Sequence, residues 1–150
     1  FATVLPSPLE SASADDDTIA VAATRLAEEC VDLGVNVVLS PIVDVVTGTN
    51  PWLEGRTVSS EAATVARTAA AFVRGLQRSG KVVATAKHFP GHPHVPLDPA
   101  VEEDAVVDAG RADLEPSLDS FRAVIRSGVR VVMMGPALVP ARDAEHDASR

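Results

Sequence analysis

Apolar residues recur at three- and four-residue spacing from Ile19 through Ala22, Ala23, Leu26 and Cys30 to Leu33, directly after the acidic run Asp15, Asp16, Asp17. The spacing places them on one face of a helix, and the carboxylates at its start suit the positive end of the helix dipole. Gly34 can take the left-handed conformation that ends a helix, and Val35-Asn36-Val37-Val38-Leu39 then reads as a buried strand. The pattern recurs with Ser59 or Ser60 as cap, a helix carrying Val65, Ala69, Phe72, Val73 and Leu76, a close at Gly80, and the strand Val82-Val83-Ala84-Thr85-Ala86. It appears a third time as a helix with Leu114, Leu118, Phe121, Val124 and Ile125, a stop at Gly128, and the strand Val129-Arg130-Val131-Val132-Met133.

Helices alternating with short apolar strands predict an α/β fold with a parallel sheet and crossover helices. The strands begin at 35, 82 and 129, at a constant separation of 47 residues, although long loops contribute to that spacing and no sequence repeat underlies it. The polar and Pro-rich stretches 40–58 and 87–110 both follow strands. Folds of this class carry their chemistry there, at the carboxyl ends of the strands.

Composition narrows the function classes. A chain of 150 residues, 46% hydrophobic and 23% charged, is a globular composition of one-domain size. With 13 Lys and Arg against 21 Asp and Glu, and with 3% aromatic residues, it lacks the clustered cations and stacking faces that nucleic acid requires. No stretch has the length and apolarity of a membrane span, and no basic segment precedes an apolar run as in a signal peptide. The lone Cys30 falls in the apolar stripe and reads as a small core residue. The compartment stays open between the cytoplasm and the secreted or envelope space.

Lys87-His88-Phe89-Pro90-Gly91-His92, directly after a strand, resembles the K-H-F-P-G-H-G signature of family 3 glycoside hydrolases in their β-N-acetylglucosaminidase branch, with Pro93 where the family has glycine. Ser40-Pro41-Ile42-Val43-Asp44-Val45 resembles the family's A-P-V-x-D-V, and Asn50-Pro51 with Gly55-Arg56-Thr57 resembles its N-P…G-x-R-S loop in shortened form. Leu114-Glu115-Pro116, Phe121 to Ile125 and Gly128-Val129 resemble its L-x-P-F-R-x-A-I…G-V passage. The resemblance implies a partial (β/α)8 TIM barrel, about three middle strands with their helices, so that residues 1–150 are a fragment of a single barrel domain. It places the D-x-E-G-G strand just before Phe1 and the nucleophilic aspartate beyond Arg150. The implied activity is retaining hydrolysis of terminal β-linked N-acetylglucosamine or N-acetylhexosamine from cell-wall-type glycans. The implied partner is a carbohydrate, and the whole protein is expected to be a monomer with no cofactor.

By the same resemblance Lys87 and His88 grip the sugar beside the cleaved bond, and Arg56 touches it. Read from the residues alone, Lys87 is a solvated surface lysine and His88 a packed, hydrogen-bonded core residue, while Arg56 is equally a salt-bridge partner of Glu54 or Asp44. Asp44 can orient Arg56 or Lys87 or bond its own loop, and His92 holds the Pro-Gly-His turn through both ring nitrogens. His88, His92, His94 and Asp98 are metal-ligand types in a short span, but the prolines stiffen the loop, no helical i, i+4 pair occurs, and no metal is expected.

Retaining hydrolysis needs a nucleophile and an acid/base. In the resembled branch the acid/base is the histidine of a mobile D-S-H loop, and the aligned residues here are Asp98-Pro99-Ala100. The aspartate is kept and the histidine is replaced by Ala100, with His94 the nearest substitute in sequence. A second family histidine, in M-x-x-H, aligns with Pro136 behind Met133. The sequence therefore leaves three readings: a glycosidase with an unconventional acid/base, a degenerate barrel that binds amino sugars without cleaving them, and a self-contained flavodoxin-like interaction module.

Overall fold

The computed structural model describes residue 3 and residues 5–140. The elements in order are α1 (Pro8–Ser13), α2 (Asp16–Asp32), β1 (Val37–Val38), α3 (Ala62–Leu76), β2 (Val83–Phe89), α4 (Arg111–Arg126) and β3 (Val131–Met134), with a one-turn 3-10 helix at Pro51–Leu53. The three strands form a parallel sheet in the order β1-β2-β3.

Helix α1 has no apolar stripe to announce it and buries none of its residues. It forms because Ser7 and Glu10 close a reciprocal capping box, with Pro8 pre-set for the first turn. Asp15 caps α2 by accepting from the Thr18 N–H at 2.7 Å. Gly34 and Gly128, both at positive φ, follow the ends of α2 and α4 as their positions imply. Helix α3 departs from the expected cap: Glu61 precedes it without a side-chain bond, while Ser59 accepts from the Glu61 N–H. It ends at Leu76, and Gly80 closes the turn beyond it rather than the helix itself.

Strand β1 is only two residues long, against the five of the apolar run, yet the backbone bonds Val83 N–H to Asn36, Thr85 N–H to Ser40 and Lys87 N–H to Pro41 keep that chain beside β2 for much longer. The bridge between Ile42 and Lys87 carries the pairing to the mouth of β2. The helices cover one face of the sheet. Ile19, Ala23, Ala27 and Cys30 of α2 pack on Phe72 and Leu76 of α3 and on Val82 and Ala84. Val65 and Ala69 of α3 meet Phe121 and Val124 of α4 over Ala86 and Val43. A third cluster, Val95, Ala105 and Val107 with Leu114, Leu118 and Ala137, anchors the loop after β2 to α4. Val35, Val37 and Leu39 at one edge, and Val131, Val132 and Met134 at the other, stay exposed, as middle strands of a barrel do before their neighbours are added. The architecture is a partial (β/α)8 barrel.

Gln77, just past α3, ties three elements at the end of the sheet away from the loops. Its Oε1 accepts from the Ala84 and Arg130 N–H groups, both at 3.2 Å, and its Nε2 donates to the Gly128 carbonyl at 2.7 Å. Gln77→Ala is expected to lower stability by about 1–3 kcal/mol. Gln77→Glu, which keeps the acceptor and loses the donor, should fall between, as read from urea unfolding of the whole protein.

Candidate functional site

The loops leaving β1 and β2 meet at the carboxyl end of the sheet. In a regular strand Lys87 and His88 would point to opposite faces. The β2–β3 ladder breaks register between Lys87 and Phe89, so His88 has no partner across it. An irregularity of this kind can re-aim a side chain away from strict alternation. The Lys87–His88 peptide is cis.

Asp44 is the hub. It is fully buried and accepts three bonds: from the His88 N–H and His88 Nδ1 on one oxygen, each at 2.9 Å, and from His92 Nδ1 on the other at 3.0 Å. Burial works to raise its pKa, but the hydrogen bonds from His88 and His92, with the attraction of both rings, outweigh that and hold the carboxyl below its usual range. Facing a carboxylate, each ring keeps a proton on Nδ1 and turns Nε2 away from Asp44, so that Nε2 is the acceptor whenever the ring is neutral. Asp44 therefore orients the two histidines, and not Arg56 or Lys87 as the sequence allowed.

His92 is held through one ring nitrogen, not two. Its Nε2 is buried with no hydrogen-bond partner among the described residues and packs on Gly135, where a β-carbon would overlap the ring. Gly91, at φ 116°, lies against Ser117 of α4 with the same lack of room. Ser117 accepts from the Val45 N–H at 3.0 Å, joining α4 to the segment that carries Asp44.

Lys87 is half-buried. Burial lowers its pKa, the nearby Arg56 charge lowers it further, and Asp44 partly offsets both. Lys87, Arg56 and Asp44 thus share one electrostatic neighbourhood. Arg56 makes no salt bridge to Glu54 or Asp44; its Nη1 donates to the Trp52 carbonyl at 3.0 Å and its guanidinium stands 5.3 Å from the centre of the Trp52 ring. That ring also packs on His88, with centroids 4.4 Å apart, and meets His92 edge-on at 5.3 Å. Nothing in the periodicity or the motifs marked Trp52, although it is the chain's single tryptophan and lies inside the Asn50 to Arg56 loop.

Asp98 and His94 lie elsewhere in the loops. Asp98 accepts from the Ala100 N–H at 2.8 Å in a tight turn, and Ala100 is exposed. His94 accepts at Nδ1 from the Thr49 N–H at 2.8 Å, which leaves Nε2 to carry the proton of the neutral ring. That nitrogen is 3.9 Å from the exposed Asp108 carboxylate.

The set His88, His92, His94 and Asp98 is thus not drawn together. Asp44, His88 and His92 do converge, each offering a ligand-type atom within 4.8 Å of the others. Their N···O distances of 2.9 and 3.0 Å are those of hydrogen bonds, and the free Nε2 of His92 faces Gly135, so the arrangement fits shared protons better than a metal ion.

The sequence pattern that defines the glycosyl hydrolase family 3 N-terminal domain matches residues 1–149. The chain is 36% identical over 138 residues to a β-N-acetylglucosaminidase/β-glucosidase of Cellulomonas fimi, covering 87% of this chain and 23% of that protein. It is 34% identical over 119 residues to a β-hexosaminidase of Stenotrophomonas maltophilia, covering 77% and 34%. Among solved structures, a family 3 β-N-acetylglucosaminidase from Paenibacillus sp. matches with a TM-score of 0.82 at 35% identity, over 93% of this chain and 27% of that one. NagZ from Neisseria gonorrhoeae, in complex with N-trifluoroacetyl-D-glucosamine, matches with a TM-score of 0.81 at 26% identity, over 94% and 44%. The chain spans less than half the length of each of these relatives.

Proposed function

Because the chain belongs to glycosyl hydrolase family 3, we propose that it forms the sugar-gripping part of a β-N-acetylglucosaminidase. The whole protein removes terminal β-linked N-acetylglucosamine or N-acetylhexosamine from cell-wall-type glycans, with retention at the anomeric carbon. It acts as a monomer on a carbohydrate and does not bind nucleic acid. The observation that carries the reading is the approach of Arg56 and His88 to one Trp52 ring at the strand mouth that also carries Lys87, with Asp44 bonded to Nδ1 of His88. An ammonium and a guanidinium donate to sugar hydroxyls, and the His88 Nε2 accepts from one, so a pyranose meets donors and an acceptor together. A self-contained flavodoxin-like module has no place beside membership of a barrel family.

The acid/base is where the reading divides. Ala100 carries no titratable proton, and assistance of this kind contributes about 10²–10⁴-fold. The Asp98 carboxylate is engaged with the Ala100 N–H of its own turn, which favours a loop-forming role. His94, with Nε2 toward Asp108, is the substitute acid of the active-enzyme reading. Ala100 in place of the loop histidine is the observation that supports the second reading, a degenerate barrel that binds amino sugars without cleaving them.

Lys87→Ala in the whole protein is expected to weaken N-acetylglucosamine binding by about 1–3 kcal/mol, the cost of leaving a buried polar partner unmatched. His88→Ala should do the same. Titration calorimetry with unchanged affinity in both variants removes the sugar-binding assignment.

A further inference from the structure

Two of the proposed sugar ligands, Arg56 from the loop after β1 and His88 from the end of β2, come from different segments, and one side chain touches both. Trp52 meets the His88 ring at 4.4 Å and has the Arg56 guanidinium 5.3 Å from its ring centre. Among the described residues Arg56 has no carboxylate partner, and the cation of Lys87 is close enough to be perturbed by it. A guanidinium beside a second cation swings to solvent unless something else retains it. Here the Trp52 carbonyl, at 3.0 Å, and the Trp52 π-face do so, and four of its five N–H groups have no partner among the described hydrogen bonds.

Trp52 is itself well fixed. The Leu53 N–H donates to Asn50 Oδ1 at 3.1 Å, and Asn50 Nδ2 donates to the His92 carbonyl at 2.8 Å, so the turn is pinned to the loop after β2. Leu53 is buried beneath it. The turn would keep its backbone with any apolar residue at position 52, because its bonds come from Asn50 and from main chain. The carbonyl of residue 52 would still accept from Arg56 Nη1, but only the aromatic ring touches both Arg56 and His88.

We propose that Trp52 is a positioning residue for this face, holding the Arg56 fork and the His88 ring at a spacing that one pyranose bridges. The inference rests on the reading of Arg56 and His88 as sugar ligands.

The test is titration calorimetry of N-acetylglucosamine with the whole protein carrying Trp52→Leu, Trp52→Phe, Arg56→Ala, or Trp52→Leu with Arg56→Ala. Trp52→Leu is expected to weaken binding about 5- to 30-fold, the range of a lost cation–π contact and a lost ring pair. Trp52→Phe, which keeps a ring, should recover most of it. In the Arg56→Ala background the further loss from Trp52→Leu should be at least about threefold smaller than in the parent, because one of its two clients is gone. Independent, multiplying losses in the double variant overturn the positioning role and leave Arg56 a ligand. A lowered melting temperature with unchanged affinity in Trp52→Leu overturns it as well, making the ring structural only. Unchanged affinity in Arg56→Ala overturns the ligand reading of Arg56 and this inference with it.

Discussion

An aryl N-acetylglucosaminide with a good leaving group is expected to be turned over by the whole protein far faster than a natural disaccharide, and Ala100→His is expected to narrow that gap. Departure of a stabilised phenolate needs little protonation, whereas a sugar alkoxide needs a proton as the bond breaks. Ala100 supplies none, and it lies exposed in the Asp98 turn, so a histidine there meets no steric obstacle. The repaired protein should cleave the disaccharide faster by up to about 10²–10⁴-fold, the range of a lost acid/base, and the aryl substrate much less. Pro99→Ser can be added to free the loop. Brisk disaccharide cleavage without the repair, abolished by His94→Ala, would identify His94 as the working acid. Turnover of neither substrate, before or after the repair, leaves the sugar-binding barrel without catalysis as the correct account.

Removal of the Asp44 carboxylate should produce a large loss of stability. Asp44→Ala leaves the His88 N–H and two imidazole N–H groups buried without an acceptor. Breaking a buried charged hydrogen-bond hub costs about 3–5 kcal/mol. Asp44→Asn should cost less but still destabilise, since one end of an amide donates where only donors converge. The effect depends on pH in a definite direction. The folded-state pKa of Asp44 lies below its unfolded value of about 3.9, so the contribution is complete above that value and disappears as pH falls through the lower folded one. His88, His92 and Lys87 face the carboxylate, and the comparison of wild type with Asp44→Ala cancels contributions from more distant groups. Urea unfolding of both proteins should show a wide stability gap at neutral pH and a narrowing one in acid. A gap that stays constant into acid would mean that Asp44 is not the stabilising carboxylate described here.

The elements that could be read along the chain are those whose physics is local. The stripe that begins at Ile19 became the buried face of α2 as far as Cys30, because a helix brings residues three and four apart together whatever surrounds it, whereas Leu33, expected on the same stripe, caps the helix end and is exposed. Gly34 and Gly128 marked helix ends because only a residue without a β-carbon takes positive φ at little cost. Helix α1 had no such stripe, and its signs were the Ser7–Glu10 capping box and Pro8 in the first turn. The strand at Val37–Val38 came out shorter than its apolar run, since a ladder is set by the partner's register and not by hydrophobicity alone.

For the site, the Lys87 to His92 motif located the strand mouth, and its neighbours in space stayed hidden. Asp44 reaches His88 and His92 across 44 and 48 residues of chain, and Trp52 reaches His88 only because Asn50 pins its turn to the His92 carbonyl. Gly135 and Ser117 come from β3's end and from α4 to press on His92 and Gly91. Residue types and motif order were determined by the sequence itself. Which carboxylate serves which imidazole, which nitrogen is left as an acceptor, and which ring supports the arginine were decided only when parallel strands and their helices brought distant loops to one end of the sheet, because hydrogen bonds and ring contacts depend on ångström-scale approach that spacing along a chain does not encode.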